Sequence, residues 1–391
     1  MEDPFVVVSP VSPPPLVQFA WRQLAARVRR GYAPPPLHSL EPRWFVPSRG
    51  ADRGSLEPVD LEALAARIEA SSGVGFVLPT ALGRSRDSLP GRVAELASQI
   101  AEVHRETSLP VVLVVGLQWF EGEEDEATTL LDAALRGALD VVEADQPVHL
   151  VGLTLRGPGK VETLRTCLPL VSSLGLQGLG WVDDDIELEP GCLARLVAGF
   201  LERAGGPRVV GAVKVPHRRE EAASRWLFRL KQHMDPAVNY PHGCCMMVDA
   251  SLLDRGIPAR YTCDDGYFCY EILQRVPEQA AQRLALVDEA VCHYSVGAAR
   301  GRLLPRLRRL LLHHLVFLAD YPPPVGARYL SDYLYPGFVP ISRRPASDGR
   351  RSGPLRWGLQ AFHFTCLSAI ALELAVRGLI GRPLREIRWS S

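Results

Sequence analysis

Three consecutive carboxylates, Asp183, Asp184 and Asp185, close the run GLGWVDDD, and a second acidic pair, Asp264-Asp265, opens CDDGYFCYEIL. Like charges this close raise each other's cost of ionisation, and desolvation at a strand end adds to it, so a positive partner is required. A hard divalent cation such as Mg²⁺ or Mn²⁺ together with a diphosphate meets that need, because carboxylate oxygens are its preferred ligands. The plainer alternative is a solvated acidic turn before the next helix, in keeping with Glu187, Glu189 and Pro190. Gly266 permits a tight backbone and a helical pattern follows it, which puts Asp264-Asp265 at a helix N-terminus where the macrodipole favours the ionised form. The pair reads as a helix cap or, coupled to the first cluster, as a general base.

Other residue types sharpen this. His293, in DEAVCHYSV, follows a short apolar strand and could give a neutral imidazole to a metal, or could be structural. Arg300, Arg302 and Arg306 are candidates for pyrophosphate contact, since guanidinium meets phosphate oxygens bidentately. His313-His314 sit on an amphipathic stretch and read as packing or solvated residues. The eight Cys, at 167, 192, 244, 245, 263, 269, 292 and 366, form no CxxC pair and no zinc spacing, and read as small buried hydrophobes in a cytoplasmic protein with reduced thiols.

The elements that must position these residues begin at Gly73. GVGFVLP, VVLVVGLQWF, VHLVGLTL, GLGWVDDD and VVGAVKV are short apolar runs of strand length. They alternate with helical patterns over Leu89–Glu106, Glu124–Val142, from GPGK to Leu174, and Cys192–Arg203, with a further one at 220–233. Such alternation predicts an α/β fold with a mostly parallel sheet flanked by helices. Ligands of these sheets bind beyond the carboxyl ends of the strands, which singles out Pro79-Thr80, Glu121–Glu124, Gly157–Lys160 and Asp183–Asp185. Upstream, helical patterns at Leu16–Arg30 and Leu61–Ala70 flank a loop-like stretch from His38 to Val59. Downstream come a basic amphipathic helix at 303–318, a Pro-, Gly- and Arg-rich linker or covering loop at 321–354, and a last helix at about 355–379. The chain divides into an N-terminal Pro-rich, helical appendage (1–70), a first half of the α/β unit (71–215), a second half (216–320), and an Arg-rich linker with a C-terminal helix (321–391).

Composition excludes several classes. The 391 residues carry 44 basic and 44 acidic side chains, so a nucleic-acid coat, which needs a basic surface, is not expected. Hydrophobic content of 47% and charged content of 23% rule out a wholly disordered chain. Lys occurs only at 160, 214 and 231, so 41 of the 44 bases are Arg, a GC-rich usage. From Arg300 onward, 15 Arg face five acids, a basic end that points to phosphates or an anionic lipid surface, or to a solvated Arg-rich face. The apolar run 357–372 is 16 residues, short of the roughly 20 needed to cross a bilayer, so the C-terminal helix is expected to pack or dimerise rather than bind a membrane surface.

Taken in order, GFVLPT, GPGKVETL, WVDDDIELEPGCLARLV, HGCCMMVDASLL and DDGYFCYEIL resemble glycosyltransferase family 2, the inverting, metal-dependent nucleotide-sugar transferases of GT-A (Rossmann-like) fold, over residues 73–312. The resemblance implies that Pro79 and Thr80 contact the nucleoside and that Lys160 lies near the base or phosphates. It implies that Asp183 and Asp185 are the two acids of a DxD motif, with Asp184 between them, and that the metal is held by these acids with His293. It further implies that Asp265 is the general base, with Asp264 standing where Glu is common, and that His242, Gly243 and Cys244 line the donor sugar and acceptor. The QxxRW motif of processive members is absent, which implies transfer of a single sugar from a UDP-, GDP- or TDP-type donor to a hydroxyl of a small or lipid-linked acceptor. Two other readings remain: a sugar-nucleotide nucleotidyltransferase, which would carry a Gly-rich loop where VLPTALGRSRD is Gly-poor, and a catalytically silent binding or scaffold protein.

Overall fold

The computed structural model describes residues 15–33, 41–48, 56–142, 146–157, 159–217, 241–295, 303–334, 354–380 and 384–385. The N-terminal part runs α1 (Pro15–Gly31), β1 (Tyr32–Ala33), β2 (Arg43–Pro47), β3 (Leu56–Val59) and α2 (Leu61–Arg67). Strand–helix alternation follows with β4 (Val74–Ala81), α3 (Leu82–Ser85), α4 (Leu89–Thr107), β5 (Val111–Trp119), α5 (Glu124–Leu139), β6 (Val148–Arg156), α6 (Lys160–Ser173), β7 (Gly178–Val182), β8 (Ile186–Leu188) and α7 (Cys192–Glu202). Then come β9 (Val209–His217), β10 (Cys245–Asp249), the helix Asp264–Arg275, β11 (Leu284–Ser295), the helices Leu303–Asp320, Pro323–Tyr329 and Pro354–Leu379, and β12 (Leu384–Arg385).

Ten strands form one mixed sheet in the order β3-β2-β6-β5-β4-β7-β10-β9-β11-β8. The block β6-β5-β4-β7 is parallel, and β10 joins it antiparallel, with Cys245 opposite Val182. The apolar runs are buried on both sides, as a helix-covered parallel sheet demands. Along β4, Phe76 and Leu78 enter a core shared with α4, α5 and α7, while Val77 enters a second core with α6 and the 264–275 and 303–320 helices. Each fully buried side chain of this kind contributes roughly 1.5–3 kcal/mol.

The predicted strands and most predicted helices are present. Four features differ. The stretch 38–59, expected as loop, contains β2 and β3; β2 adds antiparallel to β6, with Trp44 opposite Leu153, and that pairing buries Trp44 and Phe45. His293 lies within β11 rather than after a short strand. The linker expected from 321 is helical over Pro323–Tyr329. Residues 186–188, which the alternative reading put in a solvated acidic turn, pair with β11 as β8. The helix expected at 220–233 lies outside the described residues.

The last long helix, Pro354–Leu379, rests on α1 and on the 303–320 helix, burying Leu367, Ile370 and Leu374. Arg29 of α1 reaches Asp320 at 2.5 Å, and Arg308 reaches Glu373 at 3.3 Å, which fixes the three helices against each other. The far side of the last helix exposes Phe362, Leu372 and Leu379. Among the described residues, no helix is long and apolar enough to cross a membrane.

Candidate functional site

The strand order turns back between β4 and β7: β5 and β6 lie to one side of β4, and β7 to the other. At such a reversal the loops leaving the two strands part in opposite directions and open a crevice at their carboxyl ends. Thr80 is the last residue but one of β4 and Asp183 follows β7, so both stand at this crevice. The Thr80 hydroxyl donates to Asp184 Oδ2 at 2.9 Å, closing the gap between the two strands.

Lys160 is the first residue of α6, just beyond β6. Gly159 before it has φ +122, a conformation L side chains rarely adopt. Gln118, at the end of β5, clamps that turn: its Oε1 accepts from the Gly159 amide at 2.9 Å, and its Nε2 donates to the Gly159 carbonyl and to Thr163 Oγ1. So launched, Lys160 Nζ lies 2.8 Å from Asp183 Oδ1 and 2.8 Å from Asp264 Oδ2, donates to the Gly243 carbonyl, and stands 5.8 Å from the centre of the Trp181 ring. Burial alone would lower the lysine pKa, but Asp183 and Asp264 together hold it above the ordinary lysine range. The ammonium is therefore charged.

The 242–244 loop is tied down from every side. Trp181 Nε1 donates to the Gly243 carbonyl at 3.0 Å, Asp183 N to the Cys244 carbonyl at 2.8 Å, and Gly243 N to Asp265 Oδ2 at 3.2 Å. A Cβ on Gly243 would stand 2.9 Å from Asp264 Oδ2, so a side chain there would push the Asp264 carboxylate aside. Asp265 Oδ1 accepts from Cys263 Sγ and from Gly266 N at 2.7 Å, as a residue in the first turn of a helix can. Burial would raise its pKa, yet the Cys263 thiol, His242 and the Gly243 amide outweigh it and hold Asp265 below the usual carboxylate range.

Asp184 and Asp185 form an outer corner. Arg84 of α3 stands 3.7 Å from each, and the Asp185 side chain is 61% exposed. In β8 Glu187 is the middle residue, between Asp185 in the preceding turn and Glu189 just past the strand, and His293 sits opposite Glu187 on β11. The imidazole Nε2 pairs with Glu189 Oε1 at 2.9 Å.

The structure thus brings together Thr80, Lys160, Asp183, Asp184, His242, Gly243, Cys244, Asp264 and Asp265. The expected ligand trio of Asp183, Asp185 and His293 is not assembled. Asp183 faces Lys160, His293 faces Glu189, and among the described residues no group of three His, Cys, Asp or Glu side chains is set to hold a metal. In donor chemistry a carboxylate and an imidazole, Asp185 and His293, suit a divalent cation; Asp183 faces the Lys160 ammonium, and burial pushes its carboxyl up to about 6. Pro79 lies within β4, where its neighbours are buried. Arg300 and Arg302 lie outside the described residues. Gln118, Trp181 and Arg84 escaped the sequence reading: Gln118 and Trp181 sit inside apolar runs, and only Arg84 carried a signal, its place just after the first strand. All eight cysteines are free thiols, and Cys192, Cys244, Cys245 and Cys292 belong to the core beneath the loop.

No protein-family model and no curated protein matches the chain. Among solved structures, one described as a mycobacterial protein is 15% identical, with TM-score 0.35, covering 74% of this chain and 85% of that one. Glucosyl-3-phosphoglycerate synthase from Mycobacterium tuberculosis, solved with Mn²⁺, UDP and glucosyl-3-phosphoglycerate, is 16% identical, with TM-score 0.34, covering 66% and 81%. The same enzyme with Mg²⁺ and UDP is 16% identical, with TM-score 0.35, covering 67% and 83%. Those enzymes bind UDP with Mn²⁺ or Mg²⁺. Likeness at this level carries no argument about this chain's activity, which has to come from its own residues.

Proposed function

We propose that the protein is a glycosyltransferase of GT-A type, moving one sugar from a UDP-, GDP- or TDP-linked donor to a hydroxyl of a small or lipid-linked acceptor with inversion at the anomeric carbon. The observation that carries this reading is the convergence, at the strand-order reversal, of acids from two separate segments: Asp183–Asp185 after β7 and Asp264-Asp265 at a helix start, joined by Lys160. One carboxylate set on the side of a crevice where nucleotides bind, facing a second that can take a proton, is what single-displacement sugar transfer requires.

In this reading Thr80 and Asp184 border the nucleoside side and the 242–244 loop lines the sugar and acceptor. Asp265 Oδ2, which accepts the 3.2 Å bond from the Gly243 amide, takes the proton of the attacking hydroxyl. Oδ1, engaged by Cys263 and Gly266, fixes the carboxylate's direction. Asp185 and His293 are the residues that would hold a divalent metal, whose positive charge would stabilise the departing diphosphate. Arg84, exposed beside Asp185, reaches the same side. The nucleotidyltransferase alternative needs a Gly-rich phosphate loop after the first strand, and here β4 runs through Ala81 directly into the α3 helix.

Screening nucleotide-sugars for metal-dependent hydrolysis and thermal stabilisation, with and without Mn²⁺, tests the reading. Turnover of one donor class supports it; pyrophosphate release from a nucleoside triphosphate and sugar phosphate would replace it with the alternative enzyme, and Mn²⁺-independent binding without turnover with a binding protein. Asp185→Asn should lose Mn²⁺-dependent nucleotide stabilisation while remaining folded.

A further inference from the structure

We propose that the Lys160 ammonium is the resident cation of the acidic centre, seated in a cage of three oxygens — Asp183 Oδ1, Asp264 Oδ2 and the Gly243 carbonyl — that holds the end of β7, the 242–244 loop and the 264–275 helix in one geometry. Lys160 is then a positioning residue, built in where an external ion would otherwise have to sit. The Gly243 carbonyl accepts a hydrogen bond from the ammonium, and the two carboxylate oxygens stand at ion-pair distance from it. The side chains are largely withdrawn from water, at 24% exposure for Lys160, 29% for Asp183 and 9% for Asp264. Trp181 closes the arrangement, with its Nε1 on the same Gly243 carbonyl and its ring below the ammonium.

Composition supports the same conclusion. The chain uses Arg for 41 of its 44 bases, yet this position is Lys. A guanidinium is a planar fork suited to one carboxylate face, whereas a compact ammonium serves oxygens arriving from three chain segments. The Gly159 turn and its Gln118 clamp place the lysine stem, and the absence of a Cβ on Gly243 lets the loop carbonyl approach. One consequence rests on the proposed function: with Lys160 already against Asp183, an external divalent ion meets the centre at Asp185. The cage itself does not depend on that reading.

Chemical rescue tests the cage without any sugar nucleotide. Lys160→Ala should lower Tm by about 5–10 °C, because two largely buried carboxylates lose their partner. Ammonium chloride at tens of millimolar should recover at least half of that loss, and tetramethylammonium chloride at equal concentration should not, since it has no N–H to donate. Lys160→Arg should remain destabilised. If Lys160→Ala fails to fold, Lys160→Ala combined with Asp264→Asn, which removes one charge of each sign, should restore a folded protein. Wild-type Tm in Lys160→Ala or Lys160→Arg, equal rescue by the two salts, or a double variant no better than the single one overturns the proposal. These readouts are separable from the donor screen: a failed screen leaves the rescue standing, and a failed rescue leaves the transfer reading standing.

Discussion

Two corners of one acidic centre, built from neighbouring residues, are stabilised by different means. At the inner corner Asp183 and Asp264 flank Lys160 at 2.8 Å, beneath a loop and beside Trp181. At the outer corner, one residue along the chain, Asp184 and Asp185 meet Arg84 only at 3.7 Å, and Arg84 is 49% exposed. Contacts in the dry corner are strong and costly to break, whereas exposed pairs are screened and contribute less than about 1 kcal/mol. The inner acids belong to the architecture; at the outer corner Asp184 is 12% exposed and held by the Thr80 hydroxyl, and Asp185 keeps its charge available for something that arrives from solvent. The five carboxylates coexist by different means: Asp183 and Asp264 share the Lys160 ammonium, Asp184 takes the Thr80 hydroxyl, Asp265 takes the Cys263 thiol and the Gly243 and Gly266 amides, and Asp185 stays in water.

Four measurements break or sharpen this contrast. The largest effect should come from Asp265→Asn, which keeps nucleotide binding and lowers transfer by about 10²–10⁴-fold, the usual worth of a general base. Equal turnover in the variant would remove Asp265 from the chemistry, and loss confined to Asp264→Asn would move the proton acceptor to the inner corner.

Next comes pH. The inner corner is mounted on the 264–275 helix, whose Tyr270 stacks on Phe317 of the 303–320 helix at 5.0 Å. On that second helix His314 is buried against Tyr329 and its pKa is lowered by desolvation to about 4. A histidine whose folded pKa lies below its unfolded value of about 6.5 contributes stability that is whole above pH 6.5 and is lost as pH falls towards 4. The loss should total roughly 3 kcal/mol in denaturant titrations. His314→Gln should flatten that window, and an unchanged slope would exclude His314 as the cause.

Third, Asp183→Asn should lower stability by about 1–2 kcal/mol, a discount for partial exposure from the cost of breaking a fully buried pair. Asp185→Asn should stay within about 0.5 kcal/mol of wild type, since only exposed charge is removed. Equal losses at both positions would erase the distinction between the corners. The smallest effect belongs to Arg84→Ala: under about 0.5 kcal/mol in stability, vanishing at high salt. A larger, salt-resistant loss would mean that the outer corner is as structural as the inner.

What was legible in the sequence, and what was not, follows the range of the forces involved. Apolar runs of strand length between helical periodicities depend on neighbours close in sequence, so the block β4 to β7, the helices around it and the 354–379 helix could be read directly. The acids could be read because their clustering is costly wherever it occurs. β2 and β3 could not, because β2 is a strand through pairing with β6, about 100 residues away, and β3 through pairing with β2. The placement of His293 against Glu189, rather than on Asp183 and Asp185, depends on the register of β11 with β8. Residue types alone established that this centre needs a positive partner. Only the tertiary structure decided which one, because three oxygens from distant segments meet at a single ammonium, and that meeting is set by strand order, by the Gly159 turn and by the missing Cβ of Gly243.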